Sequence, residues 1–130
     1  YTVDMYISKN KEICCISPRI RLSVIGGESD ITRTINDNKI RDICKRVVKK
    51  FDFTGPITLQ LIQDKNTLEM FLMEINPRLG GAVTASIKAG YNIPEMIFYD
   101  FLGIKNCILE SGKEIIMKRY FEDTFYEINN

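Results

Sequence analysis

The chain has 130 residues, which is enough for one domain or for part of a larger one. Hydrophobic residues make up 45% of it and charged residues 27%, a composition typical of a folded chain and not of a disordered one. Its 18 basic and 17 acidic residues give a net charge of +1, so no overall charge attracts nucleic acid or an anionic membrane. No apolar run in the sequence approaches the roughly 20 residues of a membrane span.

Histidine is absent, which excludes histidine-based catalytic triads, histidine-rich zinc sites and imidazole general bases. The four cysteines form no Cys-x-x-Cys pair and lie in apolar periodic segments, at Cys14, Cys15, Cys44 and Cys107. Such cysteines are typical of reduced core residues in a cytoplasmic protein. We therefore expect a cytoplasmic protein whose cysteines are reduced.

Alternation of apolar and polar residues predicts a β-hairpin at the start of the chain, with strands over residues 2–8 and 13–24. A flexible glycine-rich loop is expected over residues 26–30. The strongest helix follows, because six apolar residues recur on one helical stripe: Ile40, Ile43, Cys44, Val47, Val48 and Phe51. Thr34 or Asn36 is expected to cap this helix, with Asp37 in its first turn.

The rest of the chain is predicted to hold a second hairpin, two short helices and a tail. The hairpin strands span residues 57–63 and 69–75, the helices span 82–89 and 93–102, and the tail over 114–128 is mostly strand-like. Successive strands are joined by hairpins and not by parallel crossovers. The order of elements therefore predicts an α+β fold, with a largely antiparallel sheet and helices packed on one side.

The end of the second hairpin carries polar residues that a solvent-exposed strand does not explain well. In a strand, Glu74 and Asn76 leave the backbone on the same face, about 7 Å apart. Leu72 shares that face, and the residues expected on the core face are Phe71, Met73 and Ile75. A carboxylate beside a carboxamide suits Mg²⁺, which prefers oxygen ligands. Arg78, two residues further, is a permanent cation that can hold a phosphate with two hydrogen bonds.

Gln60 on the neighbouring strand extends this group. If the hairpin turn is centred on Asn66, Gln60 lies opposite Leu72 and diagonal to Glu74, so both strands direct an oxygen toward one cation. A slip of one residue in register would turn Gln60 to the other face.

The segment Phe71–Gly81, with Ser86 and residues 89–94, resembles the carboxyl-terminal part of an ATP-grasp domain, in particular that of the carbamoyl-phosphate synthetase large-subunit-like branch. Residues 1–4 and 18–21 resemble the same branch, so the resemblance covers about residues 1–102. Its most specific part is a Glu-x-Asn-x-Arg pattern on a strand, with a glutamine fourteen positions before the glutamate.

The resemblance implies a role for each of these residues. Gln60, Glu74 and Asn76 would bind Mg²⁺ or Mn²⁺, and Gln60 and Glu74 would bind ATP through the metal. Arg78 would contact the ATP phosphates and act as the catalytic residue that stabilises the transferred phosphoryl group. Arg21 matches a basic position that lines the active site in this branch and is expected to contact the nucleotide.

The implied reaction is that of an ATP-dependent ligase. ATP phosphorylates a small-molecule carboxylate to an acyl phosphate, which an amine then attacks. One alternative is a carbamoyl-phosphate synthetase or carboxylase-type enzyme that uses bicarbonate. Another is a non-catalytic binding or assembly module with the same fold.

The chain opens on Tyr1, inside a predicted strand, so we expect residues 1–130 to be a single partial domain. The resemblance places the adenine pocket and the phosphate-binding lysines in amino-terminal lobes that precede this segment. We therefore expect the isolated chain to be inactive. The tail carries four aromatic residues that are typical of core or interface packing: Tyr120, Phe121, Phe125 and Tyr126. Where truncation exposes such surface, it favours a homo-oligomer.

Gly26 and Gly27 are weaker candidates for a contact with the triphosphate. Glycines let backbone N–H groups approach an anion. The segment lacks both the P-loop pattern and the dinucleotide-binding glycine pattern, so a mobile loop without a ligand is the alternative.

Overall fold

The computed structural model describes residues 1–120 and 122–128. Within these ranges the chain forms the following strands and helices: β1 (Thr2–Ile7), β2 (Ile13–Ile25), β3 (Glu28–Thr34), α1 (Asn38–Lys50), β4 (Gly55–Gln63), β5 (Met70–Asn76), α2 (Val83–Lys88), α3 (Ile93–Phe101) and β6 (Ile116–Lys118). None of the helices in the described part of the chain is long and apolar enough to cross a membrane.

The strands form one sheet of order β5-β4-β1-β2-β3-β6, and every pair of neighbours runs antiparallel. This confirms the predicted α+β fold with an antiparallel sheet. Strand β1 lies near the middle of the sheet, and each of its residues is buried. A strand buried on both faces requires cover on both sides of the sheet.

The helices supply that cover from opposite sides, so the prediction that they pack on one side of the sheet is wrong. On one face, Val3, Met5 and Ile7 of β1 form the main core with Ile40 and Cys44 of α1. The opposite face carries a second apolar cluster, built from β1, β2 and the segment around α2 and α3: Tyr6, Cys14, Cys15, Ala89, Tyr91, Ile93 and Met96. The sequence did not predict this second cluster, because Asp4 and Tyr6 give that face of β1 a polar pattern.

Helix α1 follows its predicted apolar stripe, but its cap differs from the prediction. Asp37 is the N-cap, and its side chain accepts a hydrogen bond from the Ile40 N–H at 3.1 Å. Neither Thr34 nor Asn36 caps the helix, since Thr34 belongs to β3 and Asn36 precedes the cap. An aspartate at this position satisfies a free N–H group and opposes the helix dipole.

The predicted loop over 26–30 is shorter in the structure. Only Gly26 and Gly27 form the turn, both with positive φ (58° and 84°), and β3 begins at Glu28. Adjacent positive φ angles are typical of tight hairpin turns and favour glycine. The strand predicted over 114–128 is reduced to the three residues of β6, and Phe121 of the predicted aromatic tail lies outside the described residues.

The second hairpin is present but contains a β-bulge that changes its faces. Gln60 pairs with Glu74 and Leu61 pairs with Leu72, so Met73 is an extra residue on β5. Phe71 and Met73, predicted to face the core, are 52% and 63% exposed. Leu72, predicted on the site face, instead borders a surface groove with Ile43 and Val47 of α1. Ile75 packs against the main core as predicted.

Candidate functional site

A cleft of about 130 Å³ opens on the face of the sheet that carries α2 and α3. Strands β1, β2 and β4 form its floor, and the turn that follows β5 forms one wall. Five of the residues proposed from the sequence line it: Arg21, Gly27, Gln60, Asn76 and Arg78. The structure therefore brings together side chains that are up to 57 positions apart in the sequence, since Arg21 and Arg78 share one cleft.

The bulge sets the geometry of the proposed metal ligands. Gln60 lies directly opposite Glu74, and Thr58 lies directly opposite Asn76. Directly opposed residues hold their Cβ atoms about 5 Å apart on one face of the sheet. The predicted register, with Gln60 opposite Leu72, is wrong by the one extra residue at Met73, yet Gln60, Glu74 and Asn76 share a face as predicted.

The three side chains differ in exposure. Glu74 is exposed, whereas Gln60 and Asn76 are half-buried. Glu74 does not line the cleft, although it lies opposite Gln60, which does. Within residues 1–120 and 122–128, none of the three side chains forms a hydrogen bond.

This donor set fits Mg²⁺ but not a metal that needs nitrogen or sulfur ligands. No group of three or more His, Cys, Asp or Glu side chains that could hold a metal occurs in the described part of the chain. One carboxylate and two carboxamide oxygens are hard donors, and Mg²⁺ completes its octahedron readily with water and phosphate oxygens. At such a site, water and phosphate oxygens would supply the remaining coordination.

Arg78 lies in the turn directly after β5. The turn is closed by the Arg78 N–H, which donates to the Asn76 carbonyl oxygen at 2.8 Å. The hydroxyl of Thr58 donates to the Arg78 carbonyl oxygen at 2.9 Å, which joins the turn to β4. Within the described residues its guanidinium forms one hydrogen bond, from Nη1 to the Leu79 carbonyl oxygen at 3.0 Å, and Arg78 lines the cleft.

Arg21 reaches the same cleft from β2. Its Nη2 donates to the Gly27 carbonyl oxygen at 2.6 Å, and this bond joins the arginine to the glycine turn. Its Nε is buried and has no hydrogen-bond partner in the described part of the chain. Gly27 lines the cleft beside Arg21, whereas Gly26 does not.

Residues 1–121 match the family model described as "ATP-grasp in the biosynthetic pathway with Ter operon". The chain belongs to this ATP-grasp family. The match extends past the residues that carried the resemblance in the sequence, and it does not support assignment to the carbamoyl-phosphate synthetase-like branch. No curated protein matches the chain.

Two further residues of this ATP-grasp chain belong to the site, although the sequence did not single them out. Arg19 lines the floor of the cleft, and its guanidinium forms an ion pair with the buried Asp4 carboxylate, with 2.9 Å between Nε and Oδ2. The sequence did contain one indication of a role for Arg19: it is two residues from Arg21 in β2, so the two arginines lie on the same face of the strand. The partner of Arg19 could not be read, because it depends on the pairing of β1 with β2.

Glu28 is the other acidic residue at the cleft. Its carboxylate lies 2.5 Å from Nη1 of Arg119, and Arg119 also donates to the Gly81 carbonyl oxygen. This contact joins the segment after β6 to the glycine hairpin and to the turn beyond Arg78. Arg119 offsets the charge of Glu28, which would otherwise oppose an anion in the cleft.

Proposed function

We propose that this chain forms the metal- and phosphate-binding part of an ATP-dependent ligase. The observation that supports this most is the shared face of Gln60, Glu74 and Asn76, whose oxygens point to one side of the β4–β5 hairpin without partners in the described chain. In this proposal these three residues bind Mg²⁺ or Mn²⁺, and Arg78 binds the phosphate that shares the metal.

The proposed reaction joins a carboxylate to an amine. A carboxylate oxygen attacks the γ-phosphorus of ATP, the bond to the β-phosphate oxygen breaks, and an acyl phosphate and ADP form. The amine then attacks the acyl carbon and displaces inorganic phosphate, with loss of a proton from nitrogen. Bound metal would offset the charge of the phosphate oxygens during transfer.

The arginines of the cleft have a defined part in this reaction. Arg78 adjoins the ligands Asn76 and Gln60, so its guanidinium stabilises the charge that develops on the transferred phosphoryl group. Arg21 is oriented by its bond to Gly27 and lines the cleft, where its guanidinium adds positive charge for a phosphate. Arginine suits this role because its planar donors match phosphate oxygens in pairs.

The cleft is too small to hold a whole nucleotide. Its volume of about 130 Å³ is below the roughly 300–1,000 Å³ of pockets that enclose a small molecule. The lining residues include arginines but no lysine and no aromatic side chain for an adenine ring in the described part of the chain. We therefore expect the isolated chain to bind Mg²⁺–ATP weakly and to show no ligase turnover, because other segments must complete the nucleotide site.

The proposal is tested by substituting one metal ligand and a matched surface carboxylate. Glu74→Ala removes the charged ligand, and Glu69→Ala removes an exposed carboxylate from the same hairpin. Calorimetric titration of the chain with Mg²⁺ and tripolyphosphate measures the half of the site that this chain carries. Loss of a carboxylate ligand is expected to weaken binding about tenfold or more, the size of a charge-assisted contact.

The result for Glu69→Ala is expected to lie within about twofold of the unsubstituted chain. Equal affinities for both variants would contradict the metal site. In that case a non-catalytic binding module would become the better interpretation. A carboxylate substrate is distinguished from bicarbonate by the product of turnover, since a carboxylate yields an amide or a related acyl product and bicarbonate yields a carbamoyl or carboxylated product.

A further inference from the structure

A buried ion pair lies beneath the cleft. The Arg19 and Asp4 side chains are only 2% and 1% exposed, and Nε of Arg19 lies 2.9 Å from Oδ2 of Asp4. Burying such a pair costs desolvation energy that offsets most of the Coulomb attraction, and apolar replacements are often no less stable. The pair is therefore poorly explained by stability alone, and its place under the phosphate-binding cleft indicates another role.

The Asp4 carboxylate contacts two more segments besides Arg19. The Ser86 hydroxyl of α2 donates to Oδ2 at 2.7 Å, and it accepts a bond from Ser17 at 2.8 Å. The Thr58 hydroxyl of β4 lies 3.3 Å from Oδ1. The same Thr58 hydroxyl is the group that contacts the Arg78 carbonyl oxygen, so a single side chain separates Asp4 from the turn after β5.

The backbone of that turn also lies directly on the ion pair. A Cβ atom added to Gly80 would lie 2.6 Å from Oδ1 of Asp4 and 3.0 Å from Nη2 of Arg19. Only glycine permits this approach, because a real Cβ does not come so close to another heavy atom. Asp4 does not itself line the cleft, whereas Arg19, Thr58 and Gly80 do.

We infer that Asp4 is a positioning residue for the metal- and phosphate-binding cleft. It holds the Arg19 guanidinium in one orientation on the cleft floor, where an anion meets a donor that needs no reorganisation. Through Thr58 and Gly80 it also sets the height above the sheet of the turn that carries Arg78. This inference rests on the proposed function, since it assigns the device that shapes the same cleft.

The test compares two buried carboxylates on the same face of the sheet. Asp4→Asn keeps the shape of the side chain but removes its charge. Asp100→Asn does the same at a carboxylate that accepts hydrogen bonds from the Tyr6 hydroxyl at 2.7 Å and the Lys9 N–H at 2.8 Å, beside a different cavity. Both variants are made in the full chain and titrated with Mg²⁺–tripolyphosphate, and ¹⁵N–¹H spectra record the backbone amides and the arginine Nε–H groups.

We expect Asp4→Asn to weaken binding about tenfold or more, the loss of a charge-assisted contact, and Asp100→Asn to stay within about twofold of the unsubstituted chain. Asp4→Asn should also shift the amide signals of residues 76 and 78–81 and the Nε–H of Arg19, which Asp100→Asn should leave in place. Binding by Asp4→Asn within about twofold of the unsubstituted chain would overturn the inference.

The positioning role of Asp4 can still be tested if the chain does not bind tripolyphosphate or if Asp4→Asn does not fold. If the unsubstituted chain does not bind tripolyphosphate, the proposed function fails, and the spectra alone decide the positioning role: unshifted amide signals of residues 76 and 78–81 in Asp4→Asn overturn it. If Asp4→Asn does not fold, Thr58→Val cuts the link to the Arg78 carbonyl while it keeps the ion pair, and Thr58→Ser restores the hydroxyl. Weaker binding in Thr58→Val with recovery in Thr58→Ser supports the inference, and equal binding in both overturns it.

Discussion

The two faces of strand β1 are equally buried but chemically different. Toward α1 the strand presents Val3, Met5 and Ile7, whose contacts are apolar and have no preferred direction. Toward the cleft it presents Thr2 and Asp4, whose buried polar groups need partners at defined distances and angles. The apolar face therefore provides stability that tolerates small shifts, and the polar face fixes the relative positions of β2, β4 and the turn after β5.

The largest expected effect on stability lies on the apolar face. Ile40→Ala truncates a fully buried side chain of α1 and should lower the free energy of unfolding by about 2–5 kcal/mol, because it leaves a cavity. Urea denaturation measures this loss. Affinity for Mg²⁺–tripolyphosphate, measured on the folded variant, should stay unchanged, and a change in that affinity would contradict the separation of the two faces.

Alanine substitutions at Gly80 and Gly81 test the contacts on the polar face of β1. Gly80→Ala would place a Cβ 2.6 Å from the Asp4 carboxylate and should lower the free energy of unfolding by about 1–3 kcal/mol through overpacking. At Gly81 the nearest atoms to an added Cβ belong to Glu28, at 3.6 Å, which is an ordinary contact distance. Thermal unfolding should therefore separate the two variants, and equal losses would show that the turn does not rest on the ion pair.

Alkaline pH tests burial on both faces at once. Burial raises the pKa of the Cys15 and Cys44 thiols from 9.0 to about 12. The unfolded chain then releases these protons first, so stability should be constant below about pH 8 and fall above pH 9, by about 1.4 kcal/mol per pH unit for each thiol. Urea midpoints between pH 7 and pH 10.5 check this, and a midpoint that does not fall would contradict the burial of both thiols.

A smaller effect is expected at the start of α1, outside both clusters. Asp37→Ala removes the hydrogen bond to the Ile40 N–H and should lower the free energy of unfolding by about 1 kcal/mol. Asn36→Ala is the informative control, because the sequence placed the cap there or at Thr34. A larger loss in Asn36→Ala than in Asp37→Ala would contradict the cap that the structure shows.

The sequence was sufficient to predict the features that depend on local periodicity. The apolar stripe of α1, the two hairpins and the shared face of Glu74 and Asn76 follow from spacings of 3.6 and 2 residues. The bulge at Met73 could not be predicted, because nothing local to β5 requires an extra residue. It arises where Ile75 and Leu72 must both turn toward the α1 side while Glu74 stays opposite Gln60.

The burial of Asp4 was not predicted from the sequence, for a different reason. Asp4 reads as a solvent-facing residue in an alternating strand, and only the pairing of β1 with both β2 and β4 places it against Arg19 and Thr58. Helix α2 contacts Asp4 through Ser86, which lies 82 positions away in the sequence. Long-range contacts of this kind are set by topology and not by sequence periodicity.

Paramagnetic broadening by Mn²⁺ shows directly whether Gln60, Glu74 and Asn76 bind one metal ion together. In the presence of tripolyphosphate, substoichiometric Mn²⁺ should first broaden the amide signals of Gln60, Glu74 and Asn76, and Glu74→Ala should abolish that selectivity. Broadening that is strongest in the turn around Asp64 and Glu69, or that is spread evenly over the acidic surface, would contradict a metal site on the β4–β5 face.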